Sequence, residues 1–229
     1  MRSLFACFVG AAILGGVAHA QVQPSTTPAA AESGKDYVEG IAQSAFGNVT
    51  SQSYGAEAGW TLRPNLQVFG EFGWTRNVAP PATGDAAQQI ATFLNATQTG
   101  GVSYTVKVPA EFGIAGVRYG FPGNRPKGLL PYVAGGAGFA RVKRDVHFIV
   151  AGSDITSVID TGQDNQYGVS LGSDLAGSTN SAMIVIGAGV VWPAYQRLIV
   201  DIQYRYGRIF DKDEGINLNR VGAGIGVRF

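Results

Sequence analysis

Cysteine, histidine, charge and long apolar runs are all scarce in this chain. Cysteine occurs once, at Cys7 within the first apolar run, so neither a disulfide framework nor a thiolate metal site can be built. Histidine occurs twice, at His19 and His147, which leaves little for imidazole-based catalysis or metal binding. Charged residues make up 14% of the chain, against a usual ~25%. That speaks against an ordinary soluble enzyme and against charge-driven disorder. The 17 basic and 16 acidic residues nearly cancel, without the basic stripe of a nucleic-acid binder. What is plentiful is glycine, at 33 residues.

The first twenty residues read as a targeting segment. Arg2 precedes an apolar run from Leu4 to Ala18, and Ala18-His19-Ala20 supplies the small residues of a cleavage site. Cleavage before Gln21, after export through the Sec pathway, would leave no cysteine, one histidine (His147) and no net charge. Residues 21–35 (QVQPSTTPAAAESGK) have no periodicity and read as a flexible leader. No later stretch approaches 18 uninterrupted apolar residues, so a membrane helix is not expected. An exported chain of this kind is either soluble or crosses a membrane as a closed β-barrel.

Residues 36–229 break into short stretches of period-two alternation, the mark of strands with two unlike faces. Val221, Ala223, Ile225, Val227 and Phe229 share one face, while Arg220, Gly222, Gly224, Gly226 and Arg228 share the other. Similar alternation runs through Tyr54–Leu62, Leu66–Thr75, Ile184–Trp192 and Leu198–Tyr206, and less cleanly through 36–46, 110–121 and 130–144. The sum is eight strands of about ten residues, an even number as a closed barrel requires. If Val117, Tyr119 and Phe121 face out, Glu111 must do so too, above the lipid or beside a bulge.

The faces decide between a soluble and a membrane barrel. Apolar faces carry aromatics at their ends, where membrane girdles belong. Up-and-down order places Trp60, Tyr119, Phe121, Tyr132, Trp192 and Phe229 at periplasmic ends. It places Tyr54, Trp74, Tyr206 and Phe210 at outer ends. The connections at 63–65, 122–128 and 193–196 are short and fall on the periplasmic side. Two long ones, 78–101 and 145–180, fall outside. The fold class read from this is all-β: an eight-stranded antiparallel up-and-down transmembrane β-barrel over 36–229, in the outer membrane of a Gram-negative cell.

At this point the sequence resembles the small eight-stranded outer membrane barrels, of the OmpA-transmembrane-domain and opacity-protein kind. Gly222-Ala-Gly-Ile-Gly-Val-Arg-Phe229, Leu130-Pro-Tyr-Val-Ala-Gly-Gly-Ala-Gly-Phe139 and Gly116-Val-Arg-Tyr119 carry the resemblance. It implies that Phe229 is read by the outer-membrane assembly machinery. It also suggests a pore gated by exchanging arginine partners, since such a gate is proposed for the OmpA barrel.

The inward faces are expected to hold Glu39, Glu57, Glu71, Arg118, Arg141, Lys143, Asp201, Gln203, Arg205 and Arg220. Eight strands leave an interior just wide enough for side chains. Charges there must pair or carry water, because an unpaired buried ion costs several kcal/mol. The expected role is structural or surface interaction through the two long loops, in a monomer contacting outer membrane lipids and a surface or host ligand. A narrow ion or small-solute pore is the alternative.

Catalysis finds little support. A lipid-deacylating barrel pairs a histidine with a serine two residues on, and His147 is followed by Phe148 and Ile149. No cofactor, metal or nucleic-acid partner is expected. Asp211, Asp213 and Glu214 read as a solvated loop tip. Within the loops, Asp85–Gln98 reads as a short helix over the mouth. Val146–Val150 extends the fifth strand above the membrane as a hairpin.

Overall fold

The computed structural model describes residues 35–121, 123, 128–161, 167–172, 175–211 and 215–229. The signal segment 1–20 and all of the leader except Lys35 lie outside the described residues, as do Asp213 and Glu214.

Ten strands are present: β1 (Tyr37–Phe46), β2 (Ser51–Arg63), β3 (Leu66–Thr75), β4 (Val102–Lys107), β5 (Ala110–Gly120), β6 (Leu130–Val150), β7 (Ser153–Asp154), β8 (Ala176–Tyr195), β9 (Leu198–Phe210) and β10 (Gly215–Arg228). Eight of them form a closed antiparallel ring in the order β1-β2-β3-β5-β6-β8-β9-β10. β1 closes it on β10, in register from Tyr37↔Arg228 to Phe46↔Asn219. Closure leaves no edge within the ring and lets its strands pair on both sides, as a spanning sheet needs.

The faces are inverted relative to a soluble protein. Phe139 is 72% exposed, Phe72 66%, and Ile202 and Ile225 63% each, all on the outer wall. Glu57, Arg205 and Arg220 are 1% exposed or less, all within the ring. An apolar outside around a charged inside belongs in lipid, not water. The chain is a transmembrane β-barrel.

Short connections join β2 to β3 and β8 to β9 at one end, the second turning through Gln196 at φ 42°. Long segments gather at the other end. There β6 runs on for 21 residues, beyond the barrel as the alternation of Val146, Phe148 and Val150 suggests. It turns through Ala151 and Gly152 into β7. Helix α1 (Pro81–Thr97) begins on a proline, whose missing N–H costs nothing at a helix start. It turns Thr83, Ala87, Ala91 and Leu94 inward at helical spacing. A short helix α2 (Thr156–Thr161) follows β7.

Strand β4 is an addition to the sequence reading. Val102, Tyr104 and Val106 alternate with polar residues and pair with the upper part of β6, from Val102↔Val150 to Lys107↔Asp145. Val108 and Pro109 interrupt the pattern before β5, which is why the stretch does not read as part of the wall.

Two apolar cores result. Within the barrel's outer half, Phe112, Val142, Met183, Ile209, Ile216 and Leu218 fill the lumen, each 2% exposed or less. Above it, α1, α2 and β6 bury Ala87, Leu94, Phe148, Val150, Ile155 and Ile159 in a separate cluster.

Candidate functional site

Register explains how the lumen charges meet. Glu39, Glu57 and Glu71 are cross-strand partners on β1, β2 and β3, so three carboxylates lie in one row on one wall. Like charges so placed repel. The opposing cations come from elsewhere around the ring: Arg118 on β5, Arg205 on β9 and Arg220 on β10.

Glu57 is the hub. Its Oε1 accepts from Tyr37 Oη at 2.5 Å and from Arg118 Nη2 at 2.6 Å, while its Oε2 accepts from Arg205 Nη2 at 2.6 Å. Arg118 Nη2 also donates to Asp201 Oδ2 at 3.2 Å, an oxygen that accepts from Tyr132 Oη at 2.7 Å. The Arg118 guanidinium stacks between two rings, 4.6 Å from that of Tyr37 and 3.9 Å from that of Tyr132. Desolvated cation–π contacts of this kind are worth about 2 kcal/mol.

Arg205 Nε donates to Gln203 Oε1 at 2.9 Å, and its Nη1 lies 3.7 Å from Glu71. Arg220 grips Glu71 with both terminal nitrogens, at 2.5 and 3.4 Å, beneath the Phe112 ring.

Two glycines make room for the tyrosines. Tyr37 lies across Gly59 and Tyr132 across Gly189, its register partners. A Cβ at Gly59 would come within 2.0 Å of the Tyr37 ring, and one at Gly189 within 2.5 Å of the Tyr132 hydroxyl. Below this layer a small vestibule of about 60 Å³ opens toward the end with the short turns, lined in part by Tyr37, Arg118, Leu130, Tyr132, Val191 and Ile199.

Three expected placements on β6 are corrected. Arg141 is not in the lumen. On β6 the even-numbered residues turn inward (Tyr132, Ala134, Ala140, Val142, Arg144), so Arg141 and Lys143 stand exposed on the outer wall. Tyr132, expected in the periplasmic girdle, is 3% exposed and inside. All three follow from one choice of face, since a shift of parity turns over a whole strand. Arg144 is the inward cation of β6, donating to Thr179 Oγ1 at 2.9 Å and pairing with Asp211 at the outer mouth.

Arg141 also accounts for Glu111. A single cross-strand row runs Tyr54, Trp74, Glu111, Arg141, Asn180 around the wall. Tyr54 and Trp74 stack at 6.5 Å within it. The outward-facing acid thus has a cation beside it at the level where aromatics give way to polar residues.

Trp60, Trp74, Tyr119 and Trp192 lie exposed on the outer wall. Tyr206 also faces out, half-buried, and donates to Asn217 Oδ1 at 2.8 Å. Phe229, 64% exposed, follows β10 and binds back through its N–H to the Asp36 carbonyl at 2.9 Å. His147 stands on the extension of β6, with Nε2 3.2 Å from Asp145 and Nδ1 3.1 Å from Asp154. No group of three or more potential metal ligands is found among the described residues.

No family model and no characterised sequence matches the chain. Solved structures do. Neisserial surface protein A is 15% identical with a TM-score of 0.49, over 85% of this chain and 96% of that one. Ail, the attachment invasion locus protein of Yersinia pestis, is 13% identical with a TM-score of 0.44, over 85% and 97%. The N-terminal β-barrel domain of Pseudomonas aeruginosa OprF is 17% identical with a TM-score of 0.41, over 84% and 98%. The chain resembles small outer membrane β-barrels. At these identities the likeness is one of fold, and the lumen and loops are this chain's own.

The site's polar anchors were readable from alternation, but its tyrosines were not. Tyr37 and Gln43 lie on the inward face of β1 with Glu39. Tyr37 opens that strand without a preceding periodic residue to fix its face. The one usable signal was the pairing of each tyrosine with a glycine on the next strand, which emerges only once the register is known.

Proposed function

We propose that the protein is a monomeric outer membrane anchor that presents a folded binding surface outside the cell. The observation that carries this reading is the second apolar core. The long external segments bury Leu94, Phe148, Val150, Ile155 and Ile159 against one another, so they form a platform of fixed shape. A platform lends itself to recognition, because its binding residues are ordered before a partner arrives. Phe93, Tyr104 and Val158, each more than a third exposed, are its apolar contact points.

In this reading residues 1–20 direct Sec export and are removed, and the strand ending in Phe229 addresses the barrel to the assembly machinery. Outer membrane lipids surround the aromatic belts, and the Glu/Arg network stiffens the wall. No catalytic role is assigned.

The test is binding of fluorescent serum proteins to cells that express the protein. Phe93→Ser with Val158→Ser is expected to lower cell-bound fluorescence at least several-fold at equal surface expression. Equal binding by this variant and wild type would remove the platform from the reading.

A further inference from the structure

The charge balance of the lumen layer is uneven. Four carboxylates lie buried there, Glu39, Glu57, Glu71 and Asp201, against three guanidiniums, Arg118, Arg205 and Arg220. Glu57 and Glu71 have donors on both oxygens. Glu39 does not. Neither of its oxygens, nor Asp201 Oδ1, accepts a hydrogen bond among the described residues. All belong to side chains that are 1% exposed or less.

The two carboxylates that carry these orphan oxygens share one guanidinium. Arg118 Nη2 lies 3.7 Å from Glu39 Oε1 and 3.2 Å from Asp201 Oδ2, so the two carboxylates flank one nitrogen. Strand β10 passes between their strands, and its inward positions here are Gly222, Gly224 and Gly226. Gly224 is the register partner of Asp201, and a Cβ on it would meet Glu39 Oε2 at 2.8 Å. The two acids therefore lean toward each other over a wall without side chains. The next inward side chain of β1 after Glu39 is Ile41, the register partner of Gly224, so an apolar group borders the strip.

We propose that Glu39 and Asp201 form a binding site for one monovalent alkali cation. An ion of charge one supplies the missing counter-charge, whereas a divalent ion beside Arg118 would overshoot it. Buried carboxylate charge that accepts no hydrogen bond is unfavourable, and its relief by an ion gives the site its affinity. The ligands are both oxygens of Glu39 and Oδ1 of Asp201. The vestibule ends at Tyr37, Arg118 and Tyr132, and Arg118 is the group that flanks both acids.

The direct experiment is anomalous diffraction from crystals of the full barrel soaked in rubidium or thallium(I) salts. A peak between Glu39 and Asp201 is expected, and it should be gone in Glu39→Gln. In detergent, the thermal midpoint of the folded barrel should be higher in sodium or potassium chloride than in N-methyl-glucamine chloride of equal ionic strength. A saturable rise of a few degrees is expected, and Glu39→Gln should abolish it. The gel shift between boiled and unboiled samples verifies that the variant is folded. Absence of the peak, or a midpoint that follows pH but is indifferent to the alkali ion, would overturn the site in favour of a proton on Glu39.

Discussion

Glu57 holds three donors at once, Tyr37, Arg118 and Arg205, drawn from three other strands. Its removal therefore costs more than one bond. Glu57→Gln keeps the shape but leaves two buried guanidiniums facing an amide, and breaking a buried pair in this way costs about 3–5 kcal/mol. Urea unfolding of the barrel in lipid vesicles should show that loss. Glu111→Gln, on the exposed wall, should change stability by at most ~1 kcal/mol. Comparable losses from the two would mean that the lumen network carries no special share.

The same residues show what a sequence can disclose. Glu57, Glu71, Arg205 and Arg220 interrupt otherwise apolar or glycine alternation, so their inward direction follows from period two alone. Tyr132 could not be placed this way. A tyrosine near a strand end suits a membrane girdle and also suits a cap over an arginine, and only the contact with Arg118 across the barrel separates them. An outward Tyr132 would turn β6 over and carry Arg141 and Lys143 inward with it.

At the level of elements, the hairpin from β6 into β7 and α2 has a charge-dependent clasp. Thr156 donates its backbone N–H to Asp154 Oδ1 at 2.9 Å, and His147 Nδ1 lies 3.1 Å from Asp154 Oδ2. Hydrogen bonds from Thr156, first its hydroxyl and then its N–H, hold the Asp154 carboxyl below the usual range, with His147 assisting. Because the folded value is depressed, the clasp is complete above the ordinary Asp value of about 3.9. It is lost as pH falls through the lower folded value. The protection factor of the Thr156 amide against hydrogen exchange should accordingly hold down to about pH 4 and fall only below it, and Asp154→Asn should remove that fall. Helix α1 was legible from Asp85–Gln98, because its alanines and Leu94 recur at helical spacing. Strand β4 was not, because Val108 and Pro109 detach its alternation from that of β5.

For the molecule as a whole, the apolar fill of the outer half bears on conduction. Phe112, Met183, Ile209 and Leu218 stand between the charged layer and the external mouth. Water and ions are costly to bring through such packing. Planar-bilayer recordings of purified protein should show no steady single channels. Steady openings abolished by Glu71→Gln or Arg205→Gln would instead establish a pore through the network. Closure, strand number and the split between short and long connections were all readable in advance, since each rests on local patterns. The filled outer half was not, because it depends on which small and large side chains face each other around the ring.

Strand β6 is part of the membrane wall and also the central strand under the external platform. At about 3.3 Å per residue its 21 residues approach 70 Å, more than twice the ~30 Å hydrocarbon core. A partner pulling on the platform would therefore load no flexible tether. The force would run along the strand and shear the β5–β6 and β6–β8 hydrogen-bond ladders as a unit, and such a linkage should yield abruptly rather than stretch.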